Sequence, residues 1–338
     1  MRPLVSLFAV FVVAASAQSR YEIINLESFG SPASESVFAR GINSHGQVTG
    51  SYWTPGFTEL RLFKYSPAVG MVDLGLAPSR LMYATAINNA GQIAAYGLSG
   101  STSHAYRNSS GVGYELLTPG ADAEAYAINA HGQVTGWTTI DGNDHLFRYT
   151  DGIGLEDLGA DAAGLAINDH GSITGIGGGN AFLYQDGVGI TVLGRGEGRA
   201  INNNGVIAGN TSLSPVGGSA FIYINGSMQL LGNLGGPTET WAMNNHNEIV
   251  GQARIEDQVR AFVWNEQEGM QDLNELITPG SGWVLHGAFG INDHGQIVGD
   301  GFYNGKPSAF LLTPIPEPST WALLALGAST MLLLRRRR

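Results

Sequence analysis

Aromatic and β-branched side chains fall at alternate positions in short runs along this chain, as in Asn180-Ala181-Phe182-Leu183-Tyr184 and Arg260-Ala261-Phe262-Val263-Trp264. Alternation of this kind predicts packed β-strands, and the Gly, Pro, Asn and Asp clusters between the runs predict turns. The runs also recur as a set. A stretch Ile-Asn-x-x-Gly-x-(Val/Ile)-x-Gly begins at Ile42 and returns, with drift, at Ile87, Ile128, Ile167, Ile201, Met243 and Ile291. After each comes a strand centred on an aromatic residue: Phe63, Tyr106, Phe147, Phe182, Phe221, Phe262 or Phe310. An Asp-Leu strand such as Met71-Val72-Asp73-Leu74-Gly75 follows in several copies, and a small-residue run such as Ala125-Tyr126-Ala127 leads into the next Ile-Asn.

Four short strands per repeat, with the asparagines Asn43, Asn88, Asn129, Asn168, Asn202, Asn244 and Asn292 some 34 to 48 residues apart, predict a β-propeller. The small residues before Ile-Asn suit innermost strands crowded around an axis, and the Asp-Leu strands suit the outside. The last copy ends at Ser308-Ala309-Phe310-Leu311-Leu312 without an Asp-Leu strand, while Tyr21-Glu22-Ile23-Ile24-Asn25-Leu26 stands upstream of the first copy without a repeat of its own. Pairing the two would complete a blade and remove an open edge. The expected fold is therefore all-β: a seven-bladed propeller of four-stranded blades, closed by the N-terminal strand. A β-solenoid is the alternative, although its repeats are usually shorter and more uniform. Within Asn-x-x-Gly, Asn suits the first position of a type I turn and Gly the positive φ of the fourth. Asn247 replaces that Gly in the sixth copy and tolerates the same conformation. This column predicts hairpins rather than chemistry.

The two ends differ from the body. Met1-Arg2, an apolar run over residues 4–13 and Ala15-Ser16-Ala17 form a basic start, a short apolar core and an A-x-A cleavage site, with Ala15 and Ala17 as the recognised small residues; together they predict a secretory signal peptide over residues 1–17. The other end reads Pro316-Glu317-Pro318, an apolar run over residues 321–334, then Arg335, Arg336, Arg337 and Arg338. The run is shorter than the roughly 20 residues of an ordinary span, yet four arginines would hold that end on the cytoplasmic side. This constellation resembles the PEP-CTERM sorting signal of Gram-negative bacteria. The resemblance implies export, processing by signal peptidase and an exosortase, transient insertion of a short transmembrane helix in the inner membrane, and passage to the cell surface or extracellular matrix. A plain C-terminal anchor is the alternative. The repeats over residues 18–314 resemble the bacterial extracellular HAF-repeat family through His104-Ala105-Tyr106 and His145-Leu146-Phe147, with Asn180, Ser219, Arg260 and Ser308 departing from its His. That family implies location and architecture, and no activity.

Setting aside both ends removes Arg2, the four terminal arginines and Glu317. It takes 17 basic and 28 acidic residues to 12 and 27, a balance that argues against nucleic-acid partners. No cysteine is present, so neither disulfide nor thiolate chemistry is available. His45, His131, His170, His246 and His294 share one turn column, but equivalent turns of a wide ring point apart, so they are expected as exposed turn residues rather than metal ligands. Candidate binding residues are the acidic positions assigned to connections on the face opposite the Ile-Asn hairpins: Asp122, Glu124, Asp141, Asp144 and Glu239. Among them Asp141-Gly142-Asn143-Asp144 is the calcium candidate, lacking the full EF-type pattern. No Ser-His-Asp set, P-loop or HExxH motif occurs, so no catalytic residue is assigned. The expected function is a non-catalytic binding module for exopolysaccharide or surface proteins, the former as the sorting resemblance implies. The alternative is a propeller-type glycoside hydrolase or lyase. Paired carboxylates about 5 to 10 Å apart in the central opening would favour the enzyme; converging aromatics would favour binding.

Overall fold

The computed structural model describes residues 19–26, 36–214 and 217–316. The signal-peptide residues and the sorting segment from Glu317 onward lie outside them. Among the described residues no helix is long and apolar enough to cross a membrane; the expected short spanning helix falls on residues that are not described.

Within each four-strand set the strands pair antiparallel, and every set but the last takes neighbouring strands in chain order. In the first, Val37–Ile42, Val48–Trp53, Leu60–Ser66 and Gly70–Asp73 lie side by side. A single parallel pair, Leu60 with Leu81, joins this set to the next. The last sheet takes Trp283–Ile291, Ile297–Tyr303 and Lys306–Pro314, and its fourth strand is Tyr21–Leu26. That strand pairs antiparallel with Lys306–Pro314 from Tyr21 opposite Pro314 to Leu26 opposite Ala309. The Asp-Leu runs form outer strands, as their position in the repeat predicts.

The core lies between sheets. Phe63, Phe147, Phe182, Phe221, Phe262 and Phe310 are at most 1% exposed, and burying each contributes roughly 2 to 3 kcal/mol. Val298, Ala309 and Leu311 of the last sheet pack with Val37, Ala39, Val48 and Phe63 of the first. These rings explain the second glycine of the motif. A Cβ on Gly136 would lie 1.8 Å from the Glu124 carbonyl oxygen, and one on Gly251 1.9 Å from that of Glu239 and 2.8 Å from the Phe262 ring. Only a missing side chain lets the inner strand and the phenylalanine approach the second strand together.

The Asn-x-x-Gly units are tight turns. Gly132 N–H donates to Asn129 O (3.1 Å), and Asn129 Oδ1 accepts from the N–H of His131 and Gln133. Asn247 has φ +62°, in the same region as the glycines it replaces. A further role was not legible from turn chemistry. Asn43 Nδ2 donates to Asn88 O (2.9 Å), Asn88 to Asn129 O (3.0 Å), Asn129 to Asn168 O (3.0 Å) and Asn168 to Asn202 O (3.0 Å). Asn202 then donates to Asn244 O (3.3 Å), Asn244 to Asn292 O (3.1 Å) and Asn292 to Asn43 O (2.9 Å). Each asparagine thus builds its own turn and ties it to the following one. The seven converge around a small cavity of about 210 Å³.

Candidate binding basin at the inner strands

Every inner strand carries a register shift just before its Ile-Asn or Met-Asn pair, which leaves the third residue ahead of the asparagine unpaired. These residues are Arg40, Thr85, Tyr126, Leu165, Arg199, Trp241 and Phe289. A β-bulge re-aims the extra side chain away from the ladder, and all seven line one basin of about 730 Å³. The inner strands end at the asparagine turns, so the basin opens at their other end. Tyr83, Tyr96, Trp137, Asp144, Glu197 and Gln252 complete much of its wall.

The wall is fixed before any ligand arrives. Tyr83 and Tyr96 stack with centroids 4.9 Å apart, and Tyr126 meets Tyr96 edge-on at 6.3 Å. Tyr126 O–H donates to Glu124 (2.5 Å) and accepts from Trp137 Nε1–H (3.1 Å). On the other side Trp241 and Phe289 pack edge-to-face at 5.5 Å. Arg199 lies 4.8 Å from the Trp241 ring centroid and Arg40 4.1 Å from that of Phe289, distances that give cation–π attraction.

Most of the charged groups around the basin already have partners. Arg199 Nε donates to Glu197 (2.9 Å), which also accepts from Asn210. Gln252 donates to Glu239 (2.7 Å), and Arg40 to Asp300 (3.3 Å). Burial raises the Asp300 carboxyl above its ordinary 3.8, against the opposing pull of Arg40. Burial, then Glu124, pushes the Tyr96 phenol up to about 12, and the Tyr126 phenol rises for the same reasons. Both tyrosines are neutral hydroxyls at ordinary pH.

The acidic candidates separate. Asp144 lines the basin, while Glu124 and Glu239 sit beside it on inner strands rather than on connections. Asp122 is spent on the N–H and hydroxyl of Ser103. Asp141 and Gly142, at φ +51° and +82°, form a two-residue hairpin loop between paired Ile140 and Asn143, a geometry that follows strand twist. Among the described residues no three His, Asp or Glu side chains are grouped to hold a metal ion. The histidines of the turn column are exposed on the opposite face. Most of the wall comes from inner strands rather than from the connections where acidic residues cluster in the sequence. The available signal was a column of the inner strand, three residues before each asparagine, that holds six residue types in seven repeats.

A model of the PEP-CTERM protein-sorting motif matches residues 314–338. The motif implies export, sorting to the cell surface and processing by an exosortase. No curated protein matches the chain in sequence. Among solved structures, the β-propeller domain of the Trilobed protease from Pyrococcus furiosus, with its open velcro topology, superposes with a TM-score of 0.58 at 8% identity, over 82% of this chain and 94% of that one. YCF48 bound to D1 peptide gives 0.54 at 12% identity, over 90% and 99%. The fold is that of a β-propeller. Acylaminoacyl peptidase from Pyrococcus horikoshii also superposes, with a TM-score of 0.53 at 11% identity over 86% of this propeller, which spans only 54% of that enzyme.

Proposed function

We propose that the mature chain is an exported surface propeller of seven blades, its ring closed by Tyr21–Leu26 on the last blade, that works by recognition in the axial basin. It passes transiently through the inner membrane by its sorting segment, and its repeats are of the HAF type. Matrix polysaccharide or a surface protein is the partner class, and no covalent or metal-dependent step is involved. One observation carries the reading: six aromatic side chains converge with two ring-stacked arginines in a preformed basin. Neighbouring carboxylates are meanwhile held by Arg199, Arg40, Tyr126 and Gln252. Preformed aromatic clefts with a few fixed polar groups are typical ligand sites.

The test is to incubate the body, residues 19–316, with polysaccharides and follow both retention and new reducing ends. Retention without cleavage is expected; cleavage lost on changing Asp144 or Glu197 would replace binding with catalysis. Closure is tested separately by deleting residues 21–26, which bares the edge of Lys306–Pro314. Self-association and a lower melting temperature are expected; an unchanged monomer would mean that the ring does not depend on that strand.

A further inference from the structure

Resting on the basin reading, we propose that the ligand is a neutral oligosaccharide, held by its ring faces against Trp137, Tyr126 and Trp241 and by its hydroxyls along Asp144, Glu197, Arg199 and Gln252. Charge decides first. The two arginines at the wall each already face a carboxylate, Arg199 with Glu197 and Arg40 with Asp300. Glu124 and Glu239 stand beside them, and Asp144 lines the same space. An anion such as a polyuronate or a phosphorylated chain would meet more carboxylates than cations. A cation would find Glu197 already paired with Arg199, and Glu124 and Glu239 already bonded to Tyr126 and Gln252, which leaves Asp144 as the one basin carboxylate without a side-chain bond among those named. What remains is an uncharged molecule.

Shape and hydrogen-bonding capacity narrow it further. A sugar ring has an apolar C–H face and an equator of hydroxyls, each both donor and acceptor. The basin offers the complementary pair. Flat aromatic surface comes from both sides, and side chains that mix donors with acceptors sit between: the guanidinium of Arg199 spends its Nε on Glu197, and the carboxylates and Gln252 retain spare lone pairs. A purely apolar ligand would leave these groups buried without partners, which is costly. The Tyr126 hydroxyl, fixed between Glu124 and Trp137, and the stacked Tyr83–Tyr96 pair hold the wall rigid, so little ordering is required on binding. At about 730 Å³ the basin suits a short segment or chain end rather than a long chain laid across the face.

Cellotetraose, mannotetraose, xylotetraose, tetra-N-acetylchitotetraose and tetragalacturonate are titrated calorimetrically into the body, residues 19–316. A random peptide array is probed in parallel. At least one neutral sugar should bind, with affinity unchanged between low salt and about 0.5 M salt. Trp241→Ala and Trp137→Phe should each weaken it, the former by about tenfold or more. Folding of both variants is checked by thermal melts, and Trp137→Phe serves alone where Trp241→Ala melts early. Preference for tetragalacturonate, or affinity that collapses in salt, overturns the neutral-glycan assignment and leaves the basin in place. Peptide capture abolished by Trp137→Phe does the same. Neutral-sugar binding untouched by both variants overturns the basin itself, and no binding to sugar or peptide overturns both.

Discussion

The two ends of the same inner strands have opposite characters. At the hairpin end, seven asparagines occupy equivalent places and spend both side-chain atoms on backbone, Oδ1 within the turn and Nδ2 on the neighbouring turn. Only a few residues back along each strand, the bulge position holds Arg, Thr, Tyr, Leu, Arg, Trp and Phe in turn. The difference is one of obligation. A turn residue that must satisfy a buried carbonyl next door has no freedom to change, because an unmet carbonyl is costly. A bulged residue has no ladder partner and faces an open shaft, so nothing in the repeat fixes its identity. Uniform columns in such a protein report architecture, and the bulge column, free of that obligation, is where the proposed recognition is sited.

The sharpest way to break this contrast is at the hairpin end. Asn129→Ala removes donors to Asn168 O and Gln133 Oε1 and the acceptor for two turn N–H groups, all at a residue 3% exposed. A loss of about 3 to 5 kcal/mol is expected from denaturant unfolding; a loss under about 1 kcal/mol would show that the asparagine cycle is decorative. At the basin end, Arg199→Ala gives up a part-exposed ion pair and a ring contact, and its stability should stay within about 1 kcal/mol of the parent. A cost equal to that of Asn129→Ala would erase the distinction between the two ends. The smallest effect is at Asp300, whose carboxyl is raised by burial. A raised carboxyl binds its proton more readily in the folded chain, so its contribution is full below 3.8 and is lost as pH rises through the folded value. Relative to Asp300→Asn, the parent should therefore lose melting temperature as pH is raised from about 3.5 to 7. A difference flat in pH would mean that Arg40 cancels the burial.

The strands and the aromatic column were legible because alternation and repetition are local signals, and the buried phenylalanines sit where the pattern puts them. The turn role of Asn129 was legible for the same reason. Its bond to Asn168 was not, since the partner lies a full repeat away and the contact exists only once blades stand side by side. The basin was half legible. Asp144 does line the basin, but it lies on the strand Asn143–Thr150, and Glu124 and Glu239 lie on inner strands, although all three were expected on connections. Tyr126, Arg199 and Trp241 were passed over because a bulge cannot be read from one strand: it is a mismatch in count between two. In the stretch Asp141 to Asp144, Asp and Gly serve a tight hairpin as readily as an ion-binding loop, so composition alone does not tell the two apart.

The direction of the last strand has a spatial consequence. Lys306–Pro314 runs toward the asparagine turns, Ile315 N–H donates to Arg20 O, and Pro314 lies beside Gly295 and His294. Residues 314–316, where the match to the sorting motif begins, therefore lie at the pole crowded with turns. The described chain thus leaves the fold at the pole opposite the mouth of the basin, so in the proposed function the segment that is processed and the surface that recognises are joined to the body at opposite poles.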